Sequence, residues 1–191
     1  MRQSELSAGL SFKKLDLHIH TPKSRSCFRG NCSPNDLVET AISKGLTGTA
    51  ITDHNTAEWV NEVIDAARGK PLVVFPGVEI TCTAGKKGIH IIALFDVTKR
   101  AVDVNAVLTK LDIKPDDYGK QETLTNKTPL EVIDIVHSNG GMAILAHANS
   151  SNGVLCDMKG EQRTRVIQHP RLLAVEATDF HDEDKAQKHR R

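Results

Sequence analysis

The sequence predicts an α/β domain built on a largely parallel sheet, and three features predict it. Short apolar runs recur along the whole chain, and amphipathic helical stretches separate most of them. The runs read as continuously apolar rather than alternating, as strands covered on both faces do. The 191 residues suit one domain with a sizeable core.

Residues 1–13 read as a leader, and 14–191 as the domain. The first strand is 14–20, containing Leu15-Asp16-Leu17-His18-Ile19-His20. Side chains two apart on a strand share a face, so His18 and His20 project together, about 6–7 Å apart. Leu15, Leu17 and Ile19 are expected to be buried on the opposite face. Residues 21–32 form a polar loop carrying Lys23, Arg25 and Arg29. Ser33-Pro34 opens a helix with Leu37, Val38, Ala41 and Ile42 on one face, and Gly45 closes it. Residues 46–52 form a second strand ending in Asp53-His54-Asn55. The next helix carries Trp59, Val60, Val63, Ile64 and Ala67 and stops at Gly69.

Residues 72–75 are a third apolar run, broken by Pro76-Gly77. Val78-Glu79-Ile80 resumes as strand, with Glu79 between apolar neighbours. Gly85 to Gly88 is a turn too short for a parallel crossover, so it predicts a hairpin into 89–95, which contains His90. Lys86 and Lys87 belong to its tip. Residues 102–111 are read as helix and 112–127 as loop. Thr128-Pro129-Leu130-Glu131 is a capping box opening a helix that runs to Gly140. Residues 142–146 form a buried strand ending in His147, and 148–160 a loop. A short helix covers 161–168, a last strand 172–177, and the chain closes in a charged run.

A net charge of +1 gives no global attraction to nucleic acid or an anionic membrane. No run approaches the ~18–20 apolar residues of a membrane span, and the N-terminus has no signal-peptide core. Cys27, Cys32, Cys82 and Cys156 match no zinc-finger or C-x-x-C spacing. A reduced cytoplasmic protein is the simplest expectation, with Cys82 a small buried strand residue.

Histidine is the unusual residue. His18, His54, His90 and His147 sit in or directly after apolar runs, where this side chain is uncommon. With His20, Asp53 and Glu79 they recur in or just past successive strands. In a β/α barrel, the C-terminal strand ends converge on one face and build the active site there. Imidazoles and a carboxylate converging in this way form a metal site suited to Zn, Mn or Fe.

LDLHIHT, AITDHN, PGVEIT, GIHIIAL and ILAHA, in that order, resemble the successive motifs of the PHP (polymerase and histidinol phosphatase) superfamily over residues 14–178. The resemblance implies a distorted (β/α)7 barrel with two or three divalent metals and phosphoester hydrolysis. Members include histidinol phosphatases, nucleotide phosphatases and proofreading exonucleases. Carried over by motif, His18 and His20 hold the first metal, Glu79 bridges to the second, His90 and His147 hold the second, and His54 holds a third. The TPKS…CF segment resembles PHP domains at the N-terminus of larger AAA- or SMC-like ATPases, which implies an attached ATPase domain. A phosphorylated small molecule or nucleotide is the implied substrate, with nucleic acid a further one.

The sequence departs from the family in three places. Members with a third metal often carry His or Asp where Ser26 stands, followed here by Cys27. Ala148 replaces the Pro that commonly follows the last histidine. The late Asp-x-His motif has no clear counterpart. Asp179-Phe180-His181 lies too soon after His147, so Asp179 and His181 are not expected to be primary ligands. Such barrels take about 200–250 residues or more, so this chain is expected to be a fragment with an incomplete barrel.

Two metals ~3.5–4 Å apart can polarise a phosphoryl group and acidify a bridging water. Glu79, setting that separation, and Asp53 are the candidate catalytic carboxylates. Asp53 and Asp16 are also candidates for orienting imidazoles. Lys23, Arg25 and Arg29 could hold a substrate phosphate. The competing expectation is a weakly active or non-catalytic module that binds metal or nucleotide and regulates an attached domain.

Overall fold

The computed structural model describes residues 12–178, apart from 26 and 87. Six strands follow one another in the sheet in chain order: β1 (Leu15–Ile19), β2 (Gly48–Ile51), β3 (Val73–Cys82), β4 (Ile89–Leu94), β5 (Met142–Leu145) and β6 (Leu172–Val175). Six helices join them: α1 (Pro34–Ser43), α2 (Val60–Ala66), α3 (Ala101–Lys110), α4 (Pro129–Ser138), α5 (Val154–Asp157) and α6 (Gly160–Ile167). The architecture is α/β with a curled six-stranded sheet.

The helix starts follow local chemistry. Ser33 accepts from the Asp36 backbone and Thr128 from the Glu131 backbone, and in each box the acidic side chain bonds back to the cap. Leu37, Val38 and Ala41 of α1 are buried as the sequence predicts. The segment 112–127 holds a short 3₁₀ turn, Pro115–Asp117, and 148–160 holds α5, where only loops are expected. Both elements are too short for a periodic apolar pattern to declare them.

The sheet is mixed rather than largely parallel. β1–β2, β2–β3 and β5–β6 pair parallel, whereas β3–β4 and β4–β5 pair antiparallel. The β3–β4 hairpin reverses β4, and β5 then runs against it. β3 is one continuous strand through Pro76-Gly77, not two. Its first half pairs with β2 as far as Pro76, and from Gly77 it pairs with β4. Proline therefore sits where β3 changes partner, a place that tolerates a missing N–H. Gly77 is required by crowding: a Cβ there would lie 3.0 Å from the carbonyl oxygens of both Ala93 and Ile51.

The two faces of the sheet have different cores. The helices cover one face, where Ile51, Ile80, Ile91, Leu145 and Phe95 pack with Val38, Val63, Leu108 and Ile133. On the other face a smaller cluster gathers Ala50, Ile92, Leu94, Ile144 and Ala146, with Leu17 and Phe75 against it. The period of two places Glu79 and His90 on this second face, because Ile80, Ile89 and Ile91 all point to the helices.

β1 departs from the simple alternation. Its register slips between Asp16 and Ile19, so Leu17 packs on the second face while Ile19 joins the helical core. Leu15 is 43% exposed, so the expected common burial of Leu15, Leu17 and Ile19 is not observed. The physical reason is position: β1 pairs only with β2 at one edge, as β6 pairs only with β5 at the other. Between those edges lies a groove of about 360 Å³ lined by Leu15, Leu17, Ile144, Ala174 and Val175.

Candidate metal centre

The centre is built around Glu79. Its side chain is fully buried, and five imidazoles surround it. Oε2 faces His18 Nε2 at 3.2 Å, His20 Nε2 at 3.1 Å and His54 Nδ1 at 3.2 Å. Oε1 faces His90 Nδ1 at 2.9 Å and His147 Nε2 at 3.1 Å. The two oxygens thus divide the histidines into one group of three and one of two. The rings pack with centroids 4.6–5.8 Å apart. All six residues expected as ligands, His18, His20, His54, Glu79, His90 and His147, are therefore brought together.

The cluster fits divalent cations. His18 Nε2, His54 Nδ1 and Glu79 Oε2 are buried and have no aligned hydrogen-bond partner, although they lie close to one another. Orphaned buried polar atoms are costly, and lone pairs pointed at a common space are what a cation satisfies. Triads His18–His20–Glu79 and His54–Glu79–His90 each offer ligand atoms within 4.8 Å of one another.

Neighbouring groups fix which ring nitrogen faces the centre. His18 Nδ1 lies 2.9 Å from Glu176 Oε2, and a carboxylate only accepts, so Nδ1 carries the proton and Nε2 turns to Glu79. Ser24 does the same for His20 in two steps. Its hydroxyl donates to Asp53 Oδ1 at 2.6 Å, so toward His20 Nδ1, 2.9 Å away, its oxygen can only accept. His147 Nδ1 lies 2.8 Å from Ser150 Oγ, leaving Nε2 for Glu79. His147 takes up φ 28°, a left-handed conformation, while its N–H donates to Glu176 Oε2 at 2.7 Å.

Asp53 is fully buried but has no hydrogen bond to an imidazole. It accepts from the Thr21 backbone, the Thr21 hydroxyl and Ser24, each at 2.6 Å, and so fastens the loop after β1. Its action on His20 runs through Ser24. Asp16 is exposed and its carboxylate accepts from the His18 backbone at 3.3 Å, so its expected role in orienting a ring is not seen. Lys23 pairs with Glu58 at 3.5 Å, and Arg25 and Arg29 are exposed. Glu176, Thr21 and Ser24 are the contributors that the sequence reading missed. Nothing in a local pattern marks them, since Glu176 is held to His18, and Thr21 and Ser24 to Asp53, across distant parts of the chain. Asp179, His181, Ser26 and Lys87 lie outside the described residues.

The electrostatics follow from this packing. Burial works against charge on His18, but the Glu176 and Glu79 carboxylates outweigh it and lift its pKa to about 10. His54 goes the other way: burial, with the His20, His90 and His18 rings close by, lowers it to about 3 against the pull of Glu79. Burial alone would raise Glu79, yet the imidazoles of His147, His18, His20 and His90 hold it well below the usual carboxylate range. Glu79 is thus an anion and His54 a neutral imidazole near pH 7.

Over 131 residues the chain is 33% identical to a 5'-3' exoribonuclease of Haemophilus influenzae, covering 60% of this chain and 46% of that protein. Over 80 residues it is 28% identical to a 3',5'-nucleoside bisphosphate phosphatase of Chromobacterium violaceum, covering 42% of this chain and 27% of the relative. The chain therefore spans less than half the length of these curated relatives. Neither is named as an ATPase, so the expectation of an attached ATPase domain gains no support from them. The fold resembles that of a protein from Bifidobacterium adolescentis described as a metal-dependent phosphoesterase, with a TM-score of 0.64 at 19% identity over 93% of this chain and 84% of that one. It also resembles a lesion-specific endonuclease from Pyrococcus furiosus, with a TM-score of 0.66 at 16% identity over 85% of this chain and 41% of that one. The model of the PHP domain matches residues 16–168, a span that holds β2 to β5, all of β1 but Leu15, and every histidine around Glu79, and the chain belongs to the PHP domain family.

Proposed function

We propose that this chain is the metal-binding part of a phosphoester hydrolase acting on nucleotides or nucleic-acid ends. One observation carries the reading: five imidazoles converge on a single buried carboxylate whose two oxygens face different histidines. His18 and His20 with Glu79 would hold one divalent cation, Glu79 with His90 and His147 a second, and His54 a third. Zn, Mn and Fe all suit this donor set. Such ions, when bound, polarise a phosphoryl group and supply a hydroxide near neutral pH. In this reading the curled sheet is part of a (β/α)7 barrel of the PHP type.

The protein's own groups do the rest. Glu79 stays ionised and holds the two ligand groups at a fixed spacing. Glu176 and Ser24 keep Nε2 of His18 and His20 aimed inward, so no ring has to turn during turnover. A groove of about 390 Å³ lies between β1 and α1, with His18 and His20 in its wall and Phe28, Leu37 and Leu46 along it. Its apolar side can receive a base or sugar while the phosphate meets the imidazoles. No helix of the described residues is long and apolar enough to cross a membrane.

The test is a panel of a phosphomonoester, a nucleoside 3',5'-bisphosphate and a 5'-phosphorylated RNA, assayed with added Mn and with chelator. Hydrolysis that rises with Mn and disappears with chelator is expected. A fully metallated protein inert on all three would favour the regulatory alternative.

A further inference from the structure

We propose that Arg25 holds a second, non-scissile phosphate of the substrate, beside the metal centre rather than within it. The inference rests on the hydrolase reading above and deepens it: the favoured substrates carry two phosphates, one to be cleaved and one to be gripped. The sequence leaves three cations for this work on the loop after β1: Lys23, Arg25 and Arg29. Folding separates them. Lys23 is taken up by Glu58 at 3.5 Å. Arg25 and Arg29 are both exposed, but Arg25 is seated against a second segment of the chain.

The seat is Gly119, in the segment 112–127. Arg25 Cγ and Cδ lie 3.0 and 3.4 Å from where a Cβ on Gly119 would stand. Gly119 takes φ +79°, and a Cβ there would collide with the Lys23 carbonyl, so this close approach of segment to loop requires glycine. The segment is itself fastened beside the histidines. Gly119 N–H donates to the His54 carbonyl at 2.9 Å, and the Asn55 amide donates to the carbonyls of Lys120 and Thr123, each at 2.9 Å. At its other end Arg25 follows Ser24, whose hydroxyl donates to Asp53 and accepts from the His54 N–H at 3.0 Å. Backbone and stem are both held, so the guanidinium loses less freedom when it takes an anion.

Position decides which phosphate Arg25 meets. His54 turns its ring to Glu79 and its carbonyl to Gly119. The Arg25 stem therefore lies along the backbone side of His54, off the cluster where the reacting phosphoryl group belongs. Lys120, next to Gly119, adds a second cation to the same segment. Among the described residues no carboxylate pairs with either side chain. A guanidinium left without a carboxylate matches two phosphate oxygens with its fork of N–H groups. That phosphate is either the other terminal group of a nucleoside bisphosphate or the next phosphodiester of a strand.

The test uses the full chain with Mn and compares nucleoside 3'- and 5'-monophosphates with a nucleoside 3',5'-bisphosphate and a 5'-phosphorylated dinucleotide. The wild type should favour the last two in kcat/KM. In Arg25→Gln that preference should fall about 10–100-fold, mainly through KM, as for a lost charge-assisted contact. Arg25→Lys should restore part of the preference, and Arg29→Gln should keep it. A fall for the bisphosphate alone assigns a terminal phosphate to Arg25, and a fall for the dinucleotide alone an internucleotide one. A wild type without the preference, or a preference that Arg25→Gln leaves intact, overturns the proposal. If nothing is cleaved, calorimetric binding of the bisphosphate decides. Affinity about 10–100-fold weaker in Arg25→Gln keeps the Arg25 site while the hydrolase reading falls; equal affinity, or no binding by the wild type, overturns both.

Discussion

Glu176 and His18 meet across the open side of the sheet. Glu176 follows β6 and His18 lies in β1, the two edge strands, yet Glu176 Oε2 accepts from His18 Nδ1 at 2.9 Å and from the His147 N–H at 2.7 Å. One carboxylate thereby fixes two members of the histidine cluster from outside it. Replacing it by glutamine removes the charge that holds His18 Nδ1 protonated. Metal affinity of Glu176→Gln should fall about 10–100-fold, the usual cost of losing such a partner. Chelator competition checks this, and an unchanged affinity would show that Glu176 does not orient His18.

Ser24 links Asp53 to His20, and its loss should be felt in stability as well as in metal binding. Ser24→Ala leaves the buried Asp53 one donor short and His20 Nδ1 without its acceptor. The expected cost is about 1–3 kcal/mol in urea unfolding of the metal-free protein. Thr21→Val removes a different donor from the same carboxylate and should cost a similar amount while leaving His20 aligned. Equal metal affinities in the two variants would refute the Ser24 relay.

The pH dependence of the metal-free protein has a defined shape. His54 falls from 6.5 to about 3 in the folded state, so below pH 6.5 the unfolded chain takes up a proton that the folded chain refuses, and stability drops. Glu79 acts in the same sense at lower pH, because its folded carboxyl lies well below the usual range. His18 runs the other way. Its pKa of about 10 gives stability that is full below 6.5 and is lost as pH rises toward 10. Stability should therefore peak near pH 6.5 and fall on both sides, by up to about 1.4 kcal/mol per pH unit for each proton. Metal should flatten or reverse the alkaline limb, since bound imidazoles must be deprotonated. Denaturant midpoints measured from pH 4 to 10, with and without metal, test it, and an alkaline limb indifferent to metal would count against His18 as a ligand.

Gly77→Ala probes the point where β3 changes partner. The added methyl would meet two backbone carbonyls at 3.0 Å, neither on a flexible side chain. A loss of about 1–3 kcal/mol is expected from forcing the strands apart. Metal affinity should fall too, because Glu79 lies two residues farther along the same strand. Thermal unfolding with and without metal separates the two effects.

Much of this protein is written locally. The capping boxes at Ser33 and Thr128, the apolar stripe of α1 and the Gly85–Gly88 turn are patterns of neighbouring residues, and each forms as its own chemistry dictates. The histidines and Glu79 were legible for the same reason, being polar residues set in or after apolar strands. Tertiary structure decided what local pattern cannot hold. It ran β5 against β4 and carried β3 through Pro76, because strand direction and partner depend on long-range packing. It slipped the register of β1, because an edge strand has one neighbour to discipline it. It recruited Glu176, 158 residues from His18, and tied Asp53 to the loop of Ser24 rather than to a ring. The sequence marked the clustered histidines and Glu79 because each strand presents its own side chains; only the folded sheet could say which distant groups hold them still.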